Sequence, residues 1–188
     1  MAHSKARAWL KRGLVQVYTG EGKGKTSAAL GLGFRAVGSG LKVYMMQFMK
    51  ASRTGELDAV RAHAPDFVIE QWRESEEGEQ RVWQVRGATP TEARMLAEEA
   101  FARVRENVMN GLFDIIILDE INTAVHFELV SLRAVTDLVA SKPVGVELVL
   151  TGQKAPEAII DAADLVTEMV KVKHPYDRGI KGRPGIEF

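Results

Sequence analysis

Apolar residues fall into two alternating kinds of segment along this chain. Short runs rich in β-branched side chains predict strands, and longer stretches with apolar residues at helical spacing predict helices. The predicted strands are Leu14–Tyr18, Leu41–Phe48, Asp66–Ile69, Phe113–Leu118, Val146–Leu150 and Leu165–Lys173. The predicted helices are Thr26–Val37, Glu56–His63, Thr91–Asn110, Leu132–Ala140 and Ala155–Ala163. Strand and helix alternate throughout, which predicts an α/β fold with a mostly parallel central sheet flanked by helices.

Three of these segments carry most of the structural information. Phe113–Leu118 is continuously apolar, as is typical of a parallel strand that is buried on both faces. Thr91–Asn110 is the clearest helix, with Thr91 as its predicted cap. The polar segment Glu70–Pro90 before it has little periodicity, so we predict a loop of about twenty residues, a length often found in lids and binding loops.

A glycine-rich stretch, TGEGKGKTSAA, joins the first predicted strand to the first predicted helix. Glycines let the backbone turn tightly around a phosphate, and the N-terminus of the helix adds partial positive charge. Lys25 can then reach the terminal phosphates of a nucleotide, and the Thr26 hydroxyl can ligate Mg²⁺. We therefore predict a P-loop NTPase-like fold, although Thr19 stands where the usual pattern has its first glycine. The predicted nucleotide-binding residues here are Gly20, Glu21, Gly22, Lys23, Gly24, Lys25, Thr26 and Ser27.

An acidic pair, Asp119 and Glu120, follows the buried strand Phe113–Leu118 directly. Ligands of open α/β sheets gather at the carboxyl ends of the strands, and a carboxylate there can hold Mg²⁺ directly or through water. The alternative for this pair is a helix-capping Asp beside a solvated Glu. The alternative for the glycine-rich stretch is an ordinary connection in an unrelated α/β protein. Because the two features occur together, we predict that Thr26, Asp119 and Glu120 form a metal site.

Composition restricts the class of protein. The chain has 188 residues, which suits one domain over 1–188, and its 25 Lys and Arg balance 25 Asp and Glu. Nothing in this balance attracts nucleic acid or a membrane surface. Without cysteine there are no disulfides, thiolate metal sites or cysteine nucleophiles. No apolar run approaches the roughly 18 residues of a membrane span, and residues 1–12 do not form a secretory signal, so we expect a cytoplasmic protein.

Several longer stretches, in order and with natural spacing, resemble the ATP:corrinoid adenosyltransferases of the phosphate-loop type. The matching stretches are TGEGKGKTSAALGLGFRAVGSGLKV, QFMK, FDIIILDEIN, LVLTGQKAPEAIIDAADLVTEM and VKHPYDRGIKGRPGIEF. Together they extend from about Gly13 to Phe188. The last stretch, which includes the tail 174–188, is much more specific than a phosphate loop alone.

The resemblance implies an enzyme that transfers the 5′-deoxyadenosyl group of ATP to Co(I) of a corrinoid and releases triphosphate, in adenosylcobalamin biosynthesis or salvage. Cobalt is the nucleophile, so the protein need not supply one. The implied catalytic residues are Lys25 on the phosphates, Thr26 on Mg²⁺, and Glu120, preferred over Asp119, as the second metal contact. Gln47–Lys50 would line the corrinoid side.

The family also implies partners. The N-terminal segment ARAWLKR, within a helical or flexible arm over residues 1–12, matches in kind the basic helical segment that packs over the partner subunit's site in relatives. This implies a homodimer. A reduced flavoprotein is the electron donor that the family usually employs to make Co(I).

The chain departs from the family pattern in two places. An aromatic pair of the type Gly-Phe-Thr-Trp, which helps to displace the lower axial ligand of cobalt, is absent. Trp72 and Trp83 could replace it beside Phe48, or they could be packing tryptophans. Where relatives carry Thr-Gly-Arg, this chain has TGQK, so Lys154 is the predicted replacement cation at the triphosphate.

Two other functions remain open at this point. A hydrolase or kinase would use the same loop to cleave the γ-phosphate of ATP, and fold alone would permit it. A non-catalytic protein would bind corrinoid and ATP as a carrier or sensor, which the altered aromatic segment keeps open. Products and turnover distinguish the three.

Overall fold

Six strands form a single sheet in the computed structural model, which describes residues 10–50, 54–72 and 89–187. The strands are β1 (Val15–Thr19), β2 (Val43–Gln47), β3 (Phe67–Gln71), β4 (Ile115–Asp119), β5 (Glu147–Thr151) and β6 (Leu165–Glu168). The helices are α1 (Lys25–Gly38), α2 (Gly55–Arg61), α3 (Pro90–Met109), α4 (Ile121–His126), α5 (Leu132–Ser141) and α6 (Glu157–Asp161), followed by a 3₁₀ helix over Pro175–Arg178. The strand order is β3-β2-β4-β5-β1-β6, and every pairing is parallel. The predicted α/β architecture with a parallel central sheet is confirmed.

The core lies on both faces of this sheet. Side chains of a strand point alternately to opposite faces, so Tyr44 and Met46 of β2 join one cluster while Val43 and Met45 join the other. Helices α3 to α6 cover the first face, and α1 and α2 cover the second. All residues of β2, β4 and β5 are buried, as is typical of central parallel strands, whereas all four residues of the edge strand β6 are exposed.

Helix α3 begins earlier than its apolar pattern predicts. Thr89, rather than Thr91, is the cap: its hydroxyl accepts from the backbone N–H of Glu92, and the Glu92 carboxylate accepts from the backbone N–H of Thr89. Pro90 is accommodated because the first helical turn needs no N–H donor there. At 20 residues α3 is the longest described helix. Within the described ranges, no helix has both the length and the apolar character needed to cross a membrane.

Most other boundaries differ from the prediction by one or two residues, and two further differences are relevant to the site. The last strand ends at Glu168 instead of Lys173, because the backbone of Met169 turns to bond the phosphate loop, with its carbonyl accepting from Gly22 N–H. The short helix α4 was not predicted, since six residues are too few to show helical periodicity. The predicted loop Glu70–Pro90 lies mostly outside the described residues.

Parallel strands bring their carboxyl ends to one edge of the sheet. There, Gln47 of β2 is in register with Asp119 of β4, and Tyr18 of β1 is in register with Thr151 of β5. The segments that follow β1, β2, β4 and β5 therefore meet at one place. This edge, which is where ligands bind in open α/β sheets, contains the predicted phosphate loop and acidic pair.

Candidate nucleotide-binding site

The loop between β1 and α1 has a backbone that requires glycine. Gly20 and Gly24 have φ angles of 92° and 123°, in the region that other residues rarely adopt. At Gly22, an added Cβ would lie 2.6 Å from the carbonyl oxygen of Met169, to which the Gly22 N–H donates. Gly24 also precedes the first turn of α1, and no side chain caps that turn. Backbone N–H groups at this helix end are suited to bind an anion.

Lys25 folds back into this loop. Its ammonium donates to the carbonyl oxygens of Gly20, at 2.7 Å, and Gly22, at 2.8 Å, and the residue is only 7% exposed. Burial lowers the pKa of Lys25, and the negative charges of Glu120 and Asp119 partly offset this. An ammonium has three donors, and Lys25 uses two of them for backbone carbonyl oxygens of the loop.

Asp119 connects the phosphate loop to the centre of the sheet. Its Oδ1 accepts from the hydroxyl of Thr26, at 2.8 Å, and from the hydroxyl of Thr151, at 2.7 Å. Its Oδ2 accepts from Lys50 Nζ at 2.8 Å. The side chain of Asp119 is fully buried, so the strand end fixes a carboxylate beside the hydroxyl at the start of α1.

Glu120 lies next to Asp119, but its side chain has a different partner. Its backbone is left-handed, with φ at 61°, and its N–H donates to the Thr151 hydroxyl at 3.0 Å. Its Oε2 accepts from the hydroxyl of Thr123 at 2.6 Å. Of the two predicted acidic ligands, Asp119 is therefore the one in contact with Thr26.

The donor set at this edge suits a hard cation. In the part of the chain that the structure describes, no cluster of three or more His, Asp and Glu is placed to hold a metal. A hydroxyl and a carboxylate, those of Thr26 and Asp119, stand 2.8 Å apart. Mg²⁺ is usually held by one or two such protein oxygens, with water and substrate phosphates completing its octahedron. The residues fit Mg²⁺ on these terms.

Thr19 has a definite partner at the position where the usual motif has glycine. Its hydroxyl accepts from the backbone N–H of Ala155 at 3.3 Å, and the residue is 9% exposed. The hydroxyl therefore ties the end of β1 to the segment that follows β5. This is a structural contact beside the loop rather than part of the loop's inner surface.

Replacing Thr19 with glycine is expected to weaken folding while leaving nucleotide binding almost unchanged. The lost hydrogen bond and the added chain flexibility together lower the free energy of unfolding by about 1–2 kcal/mol. Urea denaturation and ATP titration measure the two effects. Thr19→Ser, which keeps the hydroxyl, is the matched control and should unfold like the wild type. A loss of ATP affinity without a change in unfolding would contradict this assignment.

Lys23, the second lysine of the loop, contacts the C-terminal tail. Its ammonium donates to Glu187 Oε1 at 2.9 Å and to the Ile186 carbonyl oxygen at 3.0 Å. Arg183 also binds Glu187, and the hydrogen bonds from Arg183 and Lys23 lower the pKa of that carboxyl to about 2. The tail thus lies against the outer rim of the phosphate loop.

Lys154 lies near the phosphate loop in space, but its side chain bonds elsewhere. Its Nζ is 3.1 Å from Nε2 of His126, on the exposed surface beside α4. Its neighbour Ala155 contacts Thr19, so Lys154 is near the start of the loop. Gly152, with φ at 131°, allows the chain to pass Thr123, whose backbone nitrogen would be 2.8 Å from an added Cβ. The predicted contact of Lys154 with triphosphate stays a prediction.

Two of the residues predicted for the corrinoid side, Phe48 and Trp72, lie in the hydrophobic core. Phe48 is fully buried and Trp72 is 4% exposed, and both belong to the core cluster on the α3 side of the sheet. This burial favours the packing role for Trp72, one of the two roles that the sequence left open. Trp83 and residues 1–9 lie outside the described residues, as do the predictions made for them.

Two polar residues contact Asp119 in a way that the sequence did not predict. Thr151 donates to Asp119 and accepts from Glu120, and Lys50 forms an ion pair with Asp119. The position of Thr151 immediately after the apolar run of β5 was a usable signal, because every strand of a parallel sheet ends at the same edge. Lys50 follows β2 in the same way, within the stretch interpreted as corrinoid lining.

The chain is similar to one family over nearly its whole length. A sequence model of the family described as ATP:corrinoid adenosyltransferase BtuR/CobO/CobP matches residues 11–188. A corrinoid adenosyltransferase from Sinorhizobium sp is 36% identical over 184 residues, covering 95% of this chain and 81% of that protein. Those from Pseudomonas aeruginosa and Escherichia coli (strain K12) are 35% and 33% identical, each covering 97% of this chain and 87% and 89% of those proteins.

Proposed function

This chain belongs to the ATP:corrinoid adenosyltransferase family, and on that premise we propose that its phosphate loop binds the triphosphate of ATP as a leaving group. As a member it is an adenosyltransferase whose substrates are ATP and a corrinoid, an activity of adenosylcobalamin biosynthesis. What we propose beyond this is the role of each residue. The proposed triphosphate cradle is Gly20, Glu21, Gly22, Lys23, Gly24, Lys25, Thr26 and Ser27, with Lys154 as an additional cation.

One observation supports this cradle most directly. The hydroxyl of Thr26 donates to buried Asp119 at 2.8 Å, so the loop and the acidic strand end form one unit. Lys25 lies inside the loop, and phosphate oxygens would replace the carbonyl oxygens that its ammonium now contacts. Such an exchange costs little reorganisation, because the lysine already points into the ring of glycines.

We propose that Thr26 and Asp119 hold Mg²⁺, with Glu120 near enough to act through water. The bound ion would supply positive charge against the triphosphate. Thr151 donates to the same oxygen of Asp119 as Thr26 does, which keeps that oxygen directed at the loop. The acidic pair thus has a division of roles: Asp119 contacts Thr26, and Glu120 fixes the start of α4 through Thr123.

The chemistry of the transfer explains why so many positive groups are needed. The electron pair of Co(I) forms the bond to C5′ of the ribose, and the bond between C5′ and its oxygen breaks with its electrons going to triphosphate. The protein supplies no nucleophile. Lys25, the loop N–H groups and the N-terminus of α1 stabilise the charge that develops on the departing anion. Binding also holds C5′ in line with cobalt.

We propose that the corrinoid binds at the same sheet edge, beside the segment that follows β2. Trp83 is the proposed aromatic contact on that side, and the buried Phe48 and Trp72 would act by shaping the pocket wall. A reduced flavoprotein would supply the electron for Co(I). The segment ARAWLKR supports a homodimer in which it covers the partner's site. We also propose a cytoplasmic location.

The products of an anaerobic reaction test this function. Incubation with ATP, Mg²⁺ and chemically reduced Co(I) corrinoid is expected to give the absorption spectrum of an adenosylated corrinoid together with one triphosphate per product. ADP and phosphate would instead indicate a hydrolase or kinase. Binding of both ligands without turnover would indicate a carrier or sensor, and either result would contradict the proposal.

A further inference from the structure

The two oxygens of Asp119 have different kinds of partner. Oδ1 accepts from two neutral hydroxyls, those of Thr26 and Thr151, on the side of the phosphate loop. Oδ2 accepts from the ammonium of Lys50 at 2.8 Å, with Gln47 Nε2 more distant at 3.5 Å. The charge of this buried carboxylate is thus balanced from one side only, and from the side away from Thr26.

Lys50 is the cation that performs this balance. Among the described residues, Lys50 is the one that forms an ion pair with Asp119, whereas the ammonium of Lys25 contacts backbone carbonyl oxygens. Glu56 lies 3.8 Å from Lys50 Nζ and accepts from Gln47 at 2.9 Å, so the ammonium is held in a polar network at the end of β2. Burial opposes the charge of Lys50, but the charge and hydrogen bond of Asp119, together with the charges of Glu56 and Glu120, outweigh it and raise the pKa of this lysine.

A metal ion at Thr26 would need the same carboxylate. A buried carboxylate requires a compensating positive charge, which either an ammonium or a metal ion can provide. Both together would place two cations on one small buried group, where like charges are screened less than in water and repel more strongly. The side chain of Lys50 is 25% exposed, so it has solvent toward which to move, whereas Asp119 has none.

We propose that Lys50 competes with Mg²⁺ for Asp119, and that it thereby sets the Mg²⁺ concentration at which the nucleotide site is filled. Lys50 is a positioning residue in this role, acting on the metal through Asp119. The proposal rests on the metal role of Asp119 given above. Its test uses Mg²⁺ alone, without nucleotide or corrinoid, so its failure would leave adenosyl transfer itself standing.

The experiment compares thermal unfolding in MgCl₂ with unfolding in NaCl of equal ionic strength. In Lys50→Met, Asp119 has lost its ammonium, so Mg²⁺ is expected to stabilise the variant at a concentration about tenfold lower than for the wild type. Lys50→Arg keeps the charge and is the matched control. Its Mg²⁺ response should stay near that of the wild type.

A second variant shows whether the response passes through Asp119. In Lys50→Met combined with Asp119→Asn, the added sensitivity to Mg²⁺ should disappear. If Lys50→Met does not fold in NaCl, Lys50→Gln keeps a donor for Oδ2 and takes its place. If neither folds, recovery of the native spectrum in MgCl₂ supports the proposal, and no recovery overturns it. Equal Mg²⁺ responses in the wild type and Lys50→Met would also overturn it.

Discussion

Lys25→Ala is expected to lower the rate of adenosyl transfer by about 10²–10³, the cost of removing one preorganised donor from a developing anion. The ammonium of Lys25 is buried and surrounded by the glycine loop, so solvent cannot replace it easily. The affinity for ATP should fall as well, because the lysine contacts the same phosphates before the reaction. Rate measurements under excess reduced corrinoid, together with ATP titration, separate the two effects.

Lys23→Ala is the matched control for this result. Lys23 belongs to the same loop and has the same chemistry, but its side chain is 43% exposed and binds Glu187 at the rim. Exposed ion pairs contribute little energy, so the loss of rate should be much smaller. Thermal unfolding of both variants checks that the loop remains folded. A larger loss in Lys23→Ala than in Lys25→Ala would place the essential cation at the rim instead.

The location of this site could be predicted from the sequence, because it depends on two local signals. A glycine-rich turn between a strand and a helix identifies the loop, and an acidic residue after a continuously apolar run identifies the neighbouring strand end. A parallel sheet then brings the segments that follow these two strands to the same edge. The hydrogen bond between Thr26 and Asp119 in the structure agrees with this reasoning.

The contacts of Asp119 with Lys50 and Thr151 depend on the order of the strands, which the sequence does not reveal. β4 lies between β2 and β5, so Asp119 has Lys50 on one side and Thr151 on the other. With a different order these two residues would be ordinary polar side chains after a strand. For the same reason, the sequence shows Thr19 only as a departure from the usual motif, and its contact with Ala155 becomes visible in the structure.

The corrinoid side was less predictable for a different reason. Its identification came from resemblance, and the chain lacks the aromatic motif that would have identified the corrinoid contacts. The sequence leaves Trp72 open as a ligand contact or as a packing residue, because it lies in a long polar segment beside the proposed corrinoid pocket. Its 4% exposure, within the core cluster, supplied information that only tertiary structure contains.

Asp119→Asn is expected to reduce Mg²⁺-dependent turnover by about 10²–10³, because it removes a preorganised charge at the triphosphate site. If the amide oxygen keeps the hydroxyls of Thr26 and Thr151, the amide nitrogen must face Lys50, which places a donor against a donor. Breaking this pair should lower the free energy of unfolding by up to about 3 kcal/mol. Urea denaturation measures the second effect independently of catalysis.

Glu120→Gln decides which carboxylate carries the metal role. Sequence reasoning favoured Glu120, whereas the contacts favour Asp119, since Glu120 accepts from Thr123 and an amide oxygen could do the same. If Asp119 is the metal contact, Glu120→Gln should keep most of its Mg²⁺-dependent ATP affinity and unfold like the wild type. If Glu120 is the contact, it should instead lose more affinity in Mg²⁺ than in EDTA, while Asp119→Asn loses stability alone. Measuring both variants under both conditions therefore separates a carboxylate that binds the ion from one that supports the fold around it.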